Sequence, residues 1–105
     1  MALKAFGFIF TGPNLDPAVD RARIQRDDFR AVMVGVAQPL QAIAVARELV
    51  AEGIELIELC GGFGPVWTAK VIEAIEGCVP VGSVGYGPES IAGMARLFPP
   101  EVAPK

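Results

Sequence analysis

The chain has no histidine, and its 105 residues include only two cysteines, Cys60 and Cys78. Without imidazole no Ser-His or Cys-His triad can be assembled. With neither histidine nor a CxxC pair, a zinc site has no ligand set, so no metal and no cofactor is expected. A helix of roughly 12 residues between the cysteines would hold them about 18 Å apart, beyond disulfide reach. Long apolar runs are missing too. No stretch approaches the roughly 20 residues of a membrane-spanning helix, and the longest, Leu40 to Ala51, is broken by Gln41, Arg47 and Glu48. The opening Met1-Ala2-Leu3-Lys4 runs straight into the strand-like Phe6-Gly7-Phe8-Ile9-Phe10, too short for an export signal, so a cytoplasmic protein without a membrane partner is expected. Basic charge is scarce: nine Lys and Arg against twelve Asp and Glu give a net charge of -3. The one basic cluster, Arg21, Arg23, Arg26 and Arg30, is interleaved with Asp20, Asp27 and Asp28. That is a self-paired polar segment, not a stripe that tracks phosphates, and no nucleic-acid partner is expected.

What the chain does have is apolar residues, 52% of the total, with a mean hydropathy of +0.46. Small domains bury a lower fraction of their surface than large ones. Such content therefore predicts a homo-oligomer, the alternative being a monomer with sparse surface charge. The length allows one domain, over residues 1–98, followed by a flexible tail at 99–105.

In chain order, Ala2 to Phe10 reads as a strand apolar on both faces and so covered on both sides. Thr11-Gly12-Pro13-Asn14 ends it, and Asp16-Pro17 predicts a short helix to about Gln25, or else an excursion loop. Ala31 to Val36 is the second strand. Gln38 to Ala51 is a helix with Leu40, Ile43, Ala44, Arg47 and Val50 on one stripe and Val45 among the polar residues, closed by Gly53. Ile54 to Cys60 is the third strand. Gly64 to Glu76 is the next helix, with Thr68, Val71, Ile72 and Ile75 turned to the core. Val79 to Val84 is the fourth strand, and a last helix brings Ile91, Met94, Ala95 and Phe98 to one stripe before Pro99-Pro100. Strand-helix alternation from residue 31 predicts parallel strands joined by right-handed crossovers. The expected fold is α/β: a small open three-layer sandwich of about four mostly parallel strands and three to four helices. The alternative is a half-barrel (βα)4 unit completed by dimerisation.

Chemistry is expected at the ends of the strands. Gly12-Pro13, Gly64-Pro65 and Gly87-Pro88 each follow a predicted strand, so in a parallel sheet they converge on one edge; each is also plain helix-start chemistry. The turn Gly61-Gly62-Phe63-Gly64 opens a helix with unpaired N–H groups, a cradle for a small anion. It matches neither GxGxxG nor a Walker loop. Glu58 shares a strand face with Leu56 and Cys60, and burial there would raise its pKa into the acid-base range. The competing readings are a Glu paired with an Arg from residues 21 to 30, or one capping loop amides. Cys60, at a helix N-terminus, is a candidate thiolate or simply a packed small side chain. Thr11 and Tyr86 are candidate donors beside the turn.

Glu-Leu-Cys-Gly-Gly-Phe-Gly-Pro followed by Val-Pro-Val-Gly-Ser-Val-Gly-Tyr-Gly resembles a family of small bacterial proteins defined only as a domain of unknown function. The likeness covers most of the chain and implies a small α/β fold with no established activity. Ala51 to Leu59 is also similar to strands of aldolase-like and tryptophan-synthase-α-like barrels, in which a strand-end Glu, here Glu58, does acid-base work; their phosphate loops and Schiff-base Lys have no counterpart. Two functions follow as expectations. One is a protein binding a small carboxylate or phosphate ester at the C-terminal sheet edge, as a lyase or isomerase using Glu58. The other is a non-catalytic oligomeric module.

Overall fold

The computed structural model describes residues 2–100. Its sheet has five strands: β1 Ala5–Thr11, β2 Arg21–Gln25, β3 Arg30–Val36, β4 Leu56–Leu59 and β5 Val81–Ser83. They lie in the order β2-β3-β1-β4-β5, parallel except for β2, which runs antiparallel to β3. Helix α1 is Ala42–Ala51, entered through a 3₁₀ turn at Pro39–Gln41; α2 is Gly64–Ala74, and α3 is Ile91–Leu97 after a 3₁₀ turn at Pro88–Ser90. The class is the α/β expected, with one strand more than the four counted. The parallel strands are not in chain order, and β2 and β5 stand at the edges, which is an open sheet and not a half-barrel.

The single core lies between one sheet face and the helix pair α1 and α2. Alternation along the strands sends Ala5, Ile9, Val32, Val34, Val36, Ile57 and Leu59 to that side, all buried. Ala42, Val45, Ala46 and Leu49 meet them from α1, and Val71 and Ile75 from α2 and its C-terminal end. Branched residues suit both the pleat and this packing. Gly7 is required by contact: a β-carbon there would lie 3.0 Å from Leu49 Cδ1 and 3.1 Å from Ile54 Cγ2.

Expectations for β2, α1 and α2 are corrected. Residues 21–25 are a strand, not the end of a helix from Pro17. Arg21 and Arg23 occupy its helix-side positions and reach over to Glu48 of α1 and Glu52 at its C-terminal cap (2.6 and 3.1 Å) instead of pairing with the neighbouring aspartates. The buried stripe of α1 is Ala42, Val45, Ala46 and Leu49, whereas Leu40 is 64% exposed; the 3₁₀ entry turn displaces Leu40 from the helical phase, and Val45 faces the core. In α2, Ile72 is exposed while Val71 and Ile75 hold the core. The stripe of α3 meets no core, and none of that helix is buried.

Among the described residues, no helix packs on the second face of the sheet. Register places Ala22 and Ile24 of β2, Ala31, Met33 and Gly35 of β3, Phe6, Phe8 and Phe10 of β1, Leu56 and Glu58 of β4 and Gly82 of β5 together there. The link from β1 to β3 holds an edge strand where a crossover helix would cover this side, so β1 is covered on one face only. Leu15, in that link, reaches one corner, against Gly35. Of the expected tail, residues 101–105 lie outside the described residues.

Candidate functional site

The chain reverses its direction of travel across the sheet at β1: the connection from β1 leads to β3 on one side, and the helices then carry it back over to β4 and β5. In open α/β sheets the strand ends at such a reversal form the ligand crevice. Here those ends are Thr11 of β1 and Cys60 after β4. The backbone N–H of Thr11 donates to Cys60 Sγ at 3.3 Å, and its Oγ1 lies 3.5 Å from the same sulfur. Cys60 is in turn fixed by its own N–H, which donates to Ile9 O at 3.1 Å.

The glycine turn is pressed into this crest. A β-carbon on Gly62 would fall 2.6 Å from Thr11 Oγ1, and one on Gly61 would fall 2.6 Å from the Tyr86 ring and 3.3 Å from Val84 O. Both positions exclude a side chain by close approach. Phe63 N–H closes the turn onto Cys60 O at 3.2 Å, and the Phe63 ring, 3% exposed, plugs the turn into the core. Gly64 has φ of +66°, the left-handed region that favours glycine, and opens α2 with Pro65 next and no side-chain cap. Thr68 Oγ1 donates back to Gly64 O at 2.7 Å. Among the described residues, no hydrogen bond engages the N–H groups of Gly61, Gly62 or Gly64. These are the amides at the positive end of a helix.

Of the residues singled out in the sequence, Thr11, Cys60, Gly61, Gly62 and Tyr86 are brought together, and Gly64 is the next step along the turn. Gly12 faces the other way: its N–H donates to Val36 O at 3.0 Å, and it packs against Leu15. Phe63 presents its backbone only. Glu58 stands exposed on the bare sheet face, in an open cleft with Leu56, Pro80 and Val81 to Val84. The burial expected to desolvate it is missing because that face has no cover, and among the described residues no Arg from residues 21 to 30 pairs with it: Arg21 and Arg23 are engaged on the opposite side, and Arg30 donates to Glu52 O. Both cysteines are free, Cys60 half-buried and Cys78 exposed.

Sequence reasoning missed two features outside the crest. The ion pairs from β2 to α1 follow from Arg-x-Arg alternation on an edge strand, a signal visible once residues 21–25 are read as a strand. Lys70 lies 4.2 Å from the centroid of the Trp67 ring on α2, a cation–π contact that i, i+3 spacing would have suggested. Among the described residues no three Cys, Asp or Glu side chains gather as a metal ligand set, and no helix is long and apolar enough to cross a membrane.

Comparison with curated proteins and with solved structures finds no match. A family model does match, over residues 4–99, nearly the whole described chain, and the chain belongs to that family, a family of unknown function known as DUF6506.

Proposed function

We propose that the crest formed by Thr11, Cys60 and the 61–64 turn binds a small anionic metabolite, a carboxylate or a phosphate ester. The observation that carries this reading is the set of undonated N–H groups on Gly61, Gly62 and Gly64, at a helix start and a strand-order reversal, with the Thr11 hydroxyl against the same turn. The exposed Tyr86 ring over Gly61 supplies a wall and a phenolic donor. In the catalytic form of the proposal, Glu58, two residues before Cys60 in sequence, transfers a proton in a lyase or isomerase reaction. Its exposure leaves the carboxylate accessible to a substrate; burial does not support the assignment.

The test is an NMR titration of the full chain with inorganic phosphate and with short-chain carboxylates. Shifts concentrated on the amides of Gly61, Gly62 and Gly64, together with a rise in melting temperature with ligand concentration, are the expected result. Shifts that are absent, or that scatter over surface lysines, overturn it. For the catalytic form, Glu58→Gln should keep binding and lose turnover.

A second reading, a non-catalytic assembly module, is favoured by a separate observation: the uncovered apolar sheet face and the unpacked α3. A melting temperature that depends on protein concentration and ignores anions would select it.

A further inference from the structure

Among the described residues, two surfaces lack a packing partner, and they answer each other. The first is the bare sheet face, with Phe6, Phe8, Met33 and Leu56 in its middle and Ile24, 63% exposed, at its edge. The second is the arm formed by residues 88–98. Its helix α3 is buried nowhere, and Ile91, Leu97 and Phe98 are 67%, 73% and 69% exposed. The chain is correspondingly elongated, 53 × 28 × 25 Å. Its radius of gyration of 15.1 Å exceeds the roughly 13 Å of a compact chain of this length.

We propose that a second copy of the chain occupies the bare face: the arm of each copy lies across the sheet of the other, with Arg96 set against Glu58. This rests on the assembly reading above and names its contact. Charge is the first argument. Among the strand residues of the bare face, Glu58 is the only charged one, and Arg96 is the only charged residue of α3, the arm's Glu89 lying in the entry turn against Gly87. Each is exposed and without an ion-pair partner among the described residues. The long arginine stem carries the charge past the edge of the apolar stripe.

Area is the second argument. Five strands about 4.8 Å apart, with seven-residue strands at the centre, make a face on the order of 400 Å². Each copy contributes one covered face and one covering arm, and the face alone amounts to about half of the roughly 800 Å² per partner that a stable dimer buries. Because every chain carries one arm and one face, a two-fold exchange closes with nothing left over. The arm would also roof the cleft around Glu58 and Val81 to Val84, giving that carboxylate the burial it lacks in the single chain.

The experiment is analytical ultracentrifugation of the full chain and of two variants, Glu58→Lys and Arg96→Glu. Both positions are exposed, so both variants should fold as the parent does by circular dichroism. The parent is expected to be dimeric, and each variant should dimerise at least about tenfold more weakly, because like charges then meet in both contacts. An equimolar mixture of the two variants should recover the parental affinity, since both contacts in the mixed dimer pair opposite charges. Such recovery comes only from exchange between chains; an arm folded onto its own sheet gains nothing from mixing. A parent that stays monomeric up to millimolar concentration overturns this inference and the assembly reading together. A dimer indifferent to both substitutions, or one that mixing fails to restore, overturns the arm-on-sheet contact and leaves assembly standing.

Discussion

The two faces of this sheet are built from the same strands and differ in what they were given to bury. Toward the helices the strands offer small and branched residues, Ala5, Gly7, Ile9, Val32, Val34, Ile57 and Leu59, which let α1 and α2 approach closely. Away from them, the same strands offer three phenylalanines, a methionine and a leucine, larger groups with more apolar surface, left half-covered or exposed. Phe8 and Phe10 stack on each other, ring centroids 6.0 Å apart, for want of another layer. A sheet whose bulkier face is the uncovered one has its folding core on one side and, in the exchange proposed above, its contact surface on the other.

The strongest way to break this contrast is to remove volume from each side in turn. Leu49 is fully buried under Gly7, and Leu49→Ala should cost about 3 kcal/mol, within the 2–5 range for such core truncations, in urea unfolding of the dilute chain. Phe8→Ala removes more atoms from a half-covered position, yet in dilute solution it should cost clearly less, its main effect being weaker self-association. Equal costs for the two in the monomer would mean that the faces do not differ as argued.

A finer probe adds a single methyl group to each side. Gly7→Ala forces a β-carbon to 3.0 Å from Leu49 Cδ1 in the closed layer and should destabilise by roughly 1–3 kcal/mol. Gly82, on the bare face, has nothing within 4 Å of the same added atom, and Gly82→Ala should fall within about 0.5 kcal/mol of the parent. Thermal unfolding of the two variants at one protein concentration gives the comparison directly.

The covered face was largely legible in the chain because its signal is periodic. The Val-x-Val-x-Val of β3, the apolar run of β4 and the long helices each declare themselves within one window. Residues 21–25 did not: Arg-Ala-Arg-Ile-Gln alternates correctly for a strand, but its helix-side positions are arginines that pair with Glu48 and Glu52, which no local pattern reveals. The stripe of α3 was legible as apolar, but amphipathicity says that a helix needs a partner without saying where the partner is. At the crest, the meeting of Thr11, Cys60 and the glycine turn follows from parallel strand ends. The divergence of Gly12 depends on β3 lying beside β1, and so on strand order, which pairing decides. Glu58 was placed on the correct strand face, but the bareness of that face comes from β2 occupying the link where a short helix or an excursion loop was expected.

The smallest effect is expected at the rim of the covered face, where β2 is tied to α1. The hydrogen bond from the Arg21 guanidinium holds the Glu48 carboxyl below its usual range against the opposing pull of partial burial, and Glu48 in turn raises Arg21. A carboxylate depressed in the folded state contributes stability above its unfolded pKa and loses that contribution as pH falls through the folded value. Arg21 stays charged throughout, so the carboxylate alone sets the window. The side chains are 22% and 46% exposed, and solvent screening brings the pair into the ordinary range of about 0.3–1 kcal/mol despite its 2.6 Å contact. Glu48→Gln should therefore lower stability by about 0.5 kcal/mol at neutral pH, with the gap to the parent closing below about pH 4 and in molar salt. A gap that persists in acid and in salt would show that Arg21 holds β2 by packing its stem over α1. The tie between edge strand and helix would then belong to the apolar side of the ledger.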